Sequence, residues 1–473
     1  GESPNISGRP SLTSDVLLQR IEAIPIEAVK DKYAQKFLDY KDIVEVEYTA
    51  NYMESDSLVK VIRDSSGIYF VHYAIELEKL SVNQFEEKYF TTLKLNGTVS
   101  DLDGKIINQF EKDIKLEFDR DQIQQVSQKP LSIRDMFPLI PGTYKVSILI
   151  KNEVSKEFTS MERELLIPGE KDALQMTPIL MGYGRRENPP PERKLRPFQM
   201  GIYQIYFQSN RVFLMKDDLV LSFQIHGLFR ELRERGELRF TFFKDGEEFK
   251  TVSTRISLYD EIPDFVEQIS LKEFIPAHYG IRVSLFVENR EVLFETEEFD
   301  ITHVESIARP WIYSQLLAPT DDPVYAYIIG QQFFNSGKAQ QARQFVENAY
   351  NKMPENRVFA EGLSRIYAEL KEHDKIVPIL EPLMSLPESP SFDVHVLLGG
   401  SYQELGEFDK AIEVFDKALQ QFGVNALVLN ALGGCYFRLG QLVEALSAWE
   451  KSLEMNPEQP EIRENIKAIK EKK

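Results

Sequence analysis

The stretch that decides the C-terminal fold reads Leu432-Gly433-x-x-Tyr436-x-x-x-Gly440-x-x-x-x-Ala445-x-x-x-Trp449 and ends at Pro457. Thirty-four residues earlier stand Leu398-Gly399, Tyr402, Gly406, Ala411 and Phe415, with Ala418 following. Further back come Ile329-Gly330, Phe333, Gly337, Ala342, Val346, Ala349 and Pro354. A degenerate copy lies between them: Leu363, Ser364, Tyr367, Ile376, Leu380 and Leu383. A period of this length means stacked supersecondary units that bury their apolar faces against one another. The small residue (Gly330, Ser364, Gly399 or Gly433) permits close helix contact, the aromatic fills the space between helices, and the later glycine makes the tight turn.

This pattern, in four copies over 323–459, resembles the tetratricopeptide repeat (TPR), an α-solenoid of helix pairs. Pro378 and Pro382 interrupt the second helix of the second copy, and one extra residue precedes Gly399, which predicts a kink. Residues 460–473, with Ile462, Ile466 and Ile469 on one stripe, read as a capping helix. The resemblance implies that the groove of first helices binds a peptide or helix. The groove positions are Tyr327, Gln331, Phe334 and Asn335, then Glu361 and Arg365, then Gln403 and Glu404, then Asn430, Phe437 and Arg438. An alternative is that this groove packs on the chain's own domains. The clamp that grips chaperone C-terminal carboxylates uses paired Lys and Asn, and Tyr327 and Gln331 stand there instead.

Working toward the N-terminus, the apolar period changes near residue 304 from helical to strand-like. The expected fold class is all-β followed by all-α, with two tandem antiparallel β-sandwiches of immunoglobulin or fibronectin type ahead of the repeats. The first sandwich is placed at 41–170, from IVEVEYTANY to FTSMERELLIP, with a hairpin turn at Asp103-Gly104. The second is placed at 198–303, with Asp245-Gly246 as its hairpin turn. Ile140-Pro141-x-x-Tyr144 matches Ile275-Pro276-x-x-Tyr279 at an offset of 135 residues. Val146-Ser147-Ile148 matches Val283-Ser284-Leu285 at 137, and Glu164-x-x-Ile167 matches Glu298-x-x-Ile301 at 134. The matched tyrosines are expected to cap the two cores. Residues 1–40 read as a helical or extended arm, with Val16, Leu17, Ile21 and Ile24 on one stripe. Residues 171–197 read as a proline-rich basic linker, or a basic strap docking on an acidic neighbour. Residues 304–322, around Trp311, read as a connector between the halves.

The chain of 473 residues carries 56 Lys+Arg against 75 Asp+Glu, a net charge of −19. That balance repels phosphate backbones and argues against nucleic acid as the ligand. One cysteine excludes an intrachain disulfide framework, and no apolar run is long enough to span a bilayer. The six histidines have no metal-ligand spacing. His72 and His395 read as satisfied structural residues, and Cys435 as buried and inert. Ser100-Asp101-Leu102-Asp103-Gly104 reads as a hairpin turn rather than a calcium loop. No nucleophile elbow, dinucleotide turn or complete phosphate loop occurs, so no catalytic residue, cofactor or metal is expected.

KDIVEVEYTANY, the SGIYFVHY strand and MFPLIPGTYKVSILIKN resemble the region that follows the GWxTD domain in bacterial GWxTD-domain proteins. The motif that names that family is absent, the only tryptophans being Trp311 and Trp449. The resemblance implies an extracytoplasmic bacterial protein whose leader is removed or lies outside this chain, against the alternative of a cytoplasmic one. The expected function is a non-enzymatic interaction or assembly scaffold, holding a protein partner in the repeat groove with the sandwiches as spacer or docking domains. The alternatives are an accessory or carbohydrate-binding subunit of a cell-surface enzyme system, and a self-associating surface structure. Neither sandwich contains a tryptophan for a sugar-stacking row.

Overall fold

The computed structural model describes residues 52–169, 174–187, 194–385 and 390–471. The expected N-terminal arm, the strand expected at 44–48 and the triple proline of the linker lie outside the described residues. The chain divides into a unit ending at Thr320 and a second unit beginning at Asp321.

The first unit is β-rich. Its first half holds β1 (Ser55–Arg63), β2 (Tyr69–Leu77), β3 (Asn83–Phe85), β4 (Lys88–Ser100), β5 (Ile106–Phe118), the short helix α1 (Arg120–Val126), β6 (Leu131–Pro138), β7 (Gly142–Asn152) and β8 (Phe158–Ile167). Strands β1, β2 and β6 form one antiparallel sheet, and β5, β4, β7 and β8 another, extended by β3. Alternation aims one face of each sheet inward. Tyr73 of β2 and Phe137 of β6 meet Phe110 of β5, at 6.5 and 4.9 Å between ring centres. Gly97 of β4 leaves the room that the Phe110 ring occupies.

The second half opens with β9 (Gln175–Met176), β10 (Leu180–Gly182) and β11 (Gly184–Glu187), continues with β12 (Gln199–Met200), β13 (Tyr203–Tyr206) and β14 (Val212–Leu214), and then reaches β15 (Asp218–His226) and helix α2 (Arg230–Arg235). It is completed by β16 (Glu237–Lys244), β17 (Glu247–Arg255), β18 (Asp264–Ser270), β19 (Ala277–Val287) and β20 (Arg290–Thr302). The plan repeats: β10, β15 and β18 form one sheet, and β17, β16, β19 and β20 the other, with β14 parallel to β20. The core between them stacks Phe223 on Phe265 at 5.6 Å and sets Phe240 at 6.4 Å from Phe223. Asp245 and Gly246 both take positive φ, 53° and 81°, the two-residue turn that matches strand twist. The matched tyrosines open β7 and β19. The Tyr144 hydroxyl donates to Pro141 O at 3.2 Å and that of Tyr279 to Ile275 O at 3.0 Å, and both rings are buried.

Two segments differ from the sequence expectation. The 171–197 segment contributes β9, β10 and β11, with Ile179, Leu180 and Met181 buried. Arg185 stacks rather than floats, lying 4.2 Å over the Tyr203 ring. The 304–322 segment, expected as a connector braced between the halves, supplies β21 (Trp311–Ser314). This strand pairs in parallel with β6 and sets Trp311 edge-on to Phe118 at 5.5 Å. These strands are only two to four residues long, too short for alternation to show, and the prolines and arginines next to the first segment's strands mask its apolar residues.

The second unit is a run of helix pairs: α3 (Pro323–Asn335) with α4 (Ala339–Lys352), α5 (Arg357–Glu369) with α6 (His373–Leu380), α7 (Phe392–Glu404) with α8 (Phe408–Phe422), and α9 (Ala426–Arg438) with α10 (Leu442–Met455). The last pair meets α11 (Pro460–Lys470) through Trp449, Ile466 and Ile469. The repeated small residue does what its spacing requires. A Cβ at Gly330 or Gly433 would overlap Val346 or Trp449, and one at Gly399 would lie 2.5 Å from Phe415. The turn between helices uses left-handed backbone at Gly337, Gly406 and Gly440, with φ of 77°, 79° and 77°. In the second copy Lys371 holds that conformation at φ 59°. Pro378 lies inside α6, which is only 8 residues long, and a 3-10 segment, Glu381–Ser385, follows it and carries Pro382.

Candidate functional site

Each first helix starts at a capped end. Asp322, Asn356, Ser391 and Asn425 accept backbone N–H bonds from the first turns of α3, α5, α7 and α9 at 2.9 to 3.3 Å. These caps repeat at the period of the array and fix where each first helix begins. The capping residues were not singled out from sequence, though Asp, Asn and Ser at that recurring place are the signal that finds them.

The first-helix face then assembles from neighbouring pairs. Tyr327 lies over Gly362 of the next first helix, where an added Cβ would come within 2.6 Å of its ring, and stacks on Phe359 at 4.8 Å. Burial raises its hydroxyl pKa. Gln331 lies over the same glycine, and its Nε2 is buried without a hydrogen-bond partner. Arg365 pairs with Asp393 across the next seam at 2.6 Å. Gln403 covers Gly434 at 3.5 Å. Asn430 donates to Gln459 Oε1 at 2.6 Å, while its Oδ1 is buried and unpartnered. The structure therefore sets Tyr327, Gln331, Arg365, Gln403 and Asn430 on seams, where part of each side chain holds the array together.

Phe334 is half-buried in the repeat core, whereas Asn335, Glu404 and Arg438 are exposed. Arg438 lies 5.7 Å from the centre of the Phe408 ring. Phe437, a groove position, does not point wholly away from the helix-pair core. It is 43% exposed, yet its ring sits 5.9 Å from Trp449, so it belongs to both surface and core. Tyr436, its neighbour, packs between two core clusters. Sequence reasoning missed Gly400 and Gly434, one period apart on this face. A Cβ at Gly400 would meet nothing within 4 Å, and one at Gly434 would meet only Gln403. The floor of the third repeat is bare backbone at Gly400, and that of the fourth is approached only by Gln403.

The chemistry-bearing residues elsewhere are engaged in structure. The ring of His72 is buried and its Nδ1 accepts the Phe198 N–H at 2.8 Å. The Nδ1 of His395 lies 3.0 Å from Ser391 O, whereas its Nε2 is buried without a partner, so this histidine, expected to be satisfied, is satisfied at one nitrogen only. Cys435 is buried, and burial pushes its thiol up to about 11. Asp101 accepts N–H bonds from Asp103 and Lys105 at 3.1 and 2.8 Å, shaping the β4–β5 turn. Among the described residues no group of three or more His, Cys, Asp or Glu could hold a metal ion. No helix among them is long and apolar enough to cross a membrane, which says nothing of a β-barrel.

Comparison with known proteins agrees with this geometry at one place. The family model described as "Tetratricopeptide repeat" matches residues 391–458, the third and fourth helix pairs. That segment is a tetratricopeptide repeat, which points to protein–protein interaction or a scaffold role. No curated protein matches the chain. Among solved structures, one titled "MamA MSR-1 C2" is 27% identical, covering 30% of this chain and 80% of that one at a TM-score of 0.28. Another, "MamA 41-end from Desulfovibrio magneticus RS-1", is 16% identical, covering 32% and 85% at 0.30. Likeness at these scores adds nothing to the family match.

Proposed function

We propose that this chain is a non-enzymatic scaffold that holds a protein partner on the first-helix face of its repeats, the β-rich unit serving as spacer or docking domain. The observation that carries the proposal is the open floor at Gly400, continued at Gly434 where only Gln403 approaches, flanked by exposed Glu404, Phe437 and Arg438. A glycine inside a helix costs about 0.5–1 kcal/mol relative to alanine, and neither glycine is required by packing within the chain. Bare helix backbone lets a partner segment approach closely, with Phe437 as an aromatic anchor and Arg438 and Glu404 orienting polar groups.

The β halves are read as tandem sandwiches of fibronectin or immunoglobulin type. Two features support this: the shared plan of three strands in one sheet and four in the other that underlies both halves, and the tyrosine hydroxyl bonded back to its own corner in each. The resemblance to the region after the GWxTD domain supports a bacterial, extracytoplasmic setting.

Capture with the full chain as bait, compared with Gly400→Leu and Gly434→Leu variants, tests the function. Proteins retained by the wild type and lost with both variants are the expected result. Identical capture by all three baits would place binding elsewhere or nowhere.

A further inference from the structure

The joint between the two β halves is fastened by side chains that reach from one half to backbone of the other. His72 of β2 takes the Phe198 N–H, Arg134 of β6 donates to Phe207 O at 2.8 Å, and Glu76 accepts the Ser209 N–H at 3.1 Å. In the reverse direction Gln224 of β15 caps the end of β1. Its Oε1 accepts the Arg63 N–H at 2.8 Å, and its Nε2 donates to Arg63 O at 2.6 Å and to Asp264 at 2.7 Å. Beneath these bonds lies a small apolar core of its own, including Ile62, Phe198, Ile205 and Phe207.

Two of the six histidines sit in this joint, one from each half, each facing the other half. His72 is 4% exposed, against Phe198 at 5.6 Å. His226 of β15 lies 6.5 Å from the Tyr69 ring, with its Nε2 buried and unpartnered. We propose that the joint is a proton-operated latch, closed while His72 and His226 are neutral and opened by acid. The reason is geometric. The Nδ1 of His72 is the acceptor for the Phe198 N–H, and a proton there removes the acceptor and strands a cation in an apolar seam.

The surrounding charges set the direction. Across from His72, β1 presents Lys60, which donates to Glu297 at 3.2 Å and to Ile179 O at 2.8 Å while Arg211 shares the same carboxylate, and β6 presents Met136. Facing His226 are Arg63 and Tyr69 of the first half, and its ladder partner on β9 is Gln175. Burial holds the His72 ring down to about 3, and burial, then the Arg63 charge, lowers His226. Both closed-state values lie below the free value of 6.5, so latch stability is complete above that pH and is lost as pH falls toward the closed values. Asp264 opposes them. Burial raises it to about 6, with Glu261 and Asp64 adding to the rise, so the closed joint gains a proton there between about 6 and 3.8. Glu76 is raised by burial in the same sense.

Hydrogen exchange of the full chain, corrected for the intrinsic pH effect and resolved by peptide, tests the latch. Between about pH 7 and about pH 4.5, protection over 194–207 and 58–77 should fall roughly tenfold while the core strand 237–244 keeps its protection. The double variant His72→Gln with His226→Gln, which keeps an acceptor but cannot titrate, should stay closed. Asp264→Asn, which removes the buried carboxylate that burdens the closed joint near pH 7, should open at a pH no higher than the wild type's. Unchanged protection in the wild type, loss over all segments together, or opening of the double variant at the wild-type pH would each overturn the proposal. Should the double variant fail to fold, titration of the histidine ring protons in the wild type decides. Either ring titrating near its free value with the joint still closed overturns it, and both staying neutral until the joint opens upholds it.

Discussion

Gly399 and Gly400 are neighbours in α7, and alanine substitutions at the two should act in opposite directions. Gly400 leaves open space where its Cβ would be, so alanine adds only helix propensity, about 0.5–1 kcal/mol of stability. At Gly399 the same methyl would lie 2.5 Å from Cε1 of Phe415 and 2.8 Å from two further ring atoms. That ring is 1% exposed between α7 and α8 and cannot yield cheaply. Overpacking of this kind costs about 1–3 kcal/mol, partly offset by the propensity gain, so a net loss of about 1–2 kcal/mol is expected. The propensity gain is common to both, so the contrast between adjacent positions is the overpacking cost, about 1–3 kcal/mol. Urea unfolding of the full chain followed at 222 nm reads it, because the helical signal comes from the array. The midpoint should rise for Gly400→Ala and fall for Gly399→Ala with the slope unchanged. Shifts in the same direction would refute the packing argument and, with it, the reading of Gly400 as an uncovered floor.

The remaining predictions are as follows. Lys371 occupies left-handed backbone where the other three copies carry glycine, so Lys371→Gly should stabilise the array by about 1 kcal/mol, seen as a higher urea midpoint. Cys435 should resist a thiol reagent at about pH 8 in the native chain and react at once in denaturant, since burial raises its pKa to about 11. Phe437→Ala should both weaken the captured partner and lower the array's midpoint by about 1 kcal/mol, because the ring is shared between the surface and Trp449; Tyr436→Ala should act on the midpoint alone. Asp264→Asn should stabilise the β-rich unit near pH 7, where the folded state holds an unfavourable buried carboxylate, and this gain should vanish toward pH 4 as the wild-type group takes up its proton; melting curves at the two pH values check it.

The repeat is legible in sequence because its physical demands are met by residue type alone. Only a small side chain fits where Gly330, Ser364, Gly399 and Gly433 meet the second helices, and a turn with positive φ selects glycine at three of four places. The β-rich unit is less legible. Strand content follows from alternation, but which strand enters which sheet depends on partners distant in sequence. Thus Trp311 joining β6 leaves no local mark, and a strand such as β1, with Ser55, Asp56, Ser57 and Lys60, reads as a loop until its partner β2 is known. The 171–197 segment is the sharpest case. Prolines and arginines signal a solvated linker, yet the apolar residues ahead of them, Ile179 to Met181, lie inside the second half.

The groove residues divide on the same principle. Position on the repeat says which face a side chain occupies, but not whether the neighbouring repeat covers it. Tyr327 and Gln331 are drawn onto the next helix because Gly362 leaves a hollow there, whereas Glu361, one residue before, is left on the face. The hollows at Gly400 and Gly434 differ because the chain does not fill the first and only grazes the second through Gln403. Two successive first helices that give up propensity at equivalent positions, with at most one side-chain tip of the chain's own seated there, have kept their backbone accessible from outside. That accessibility, more than any single aromatic side chain, makes the third and fourth repeats the place to look for the partner.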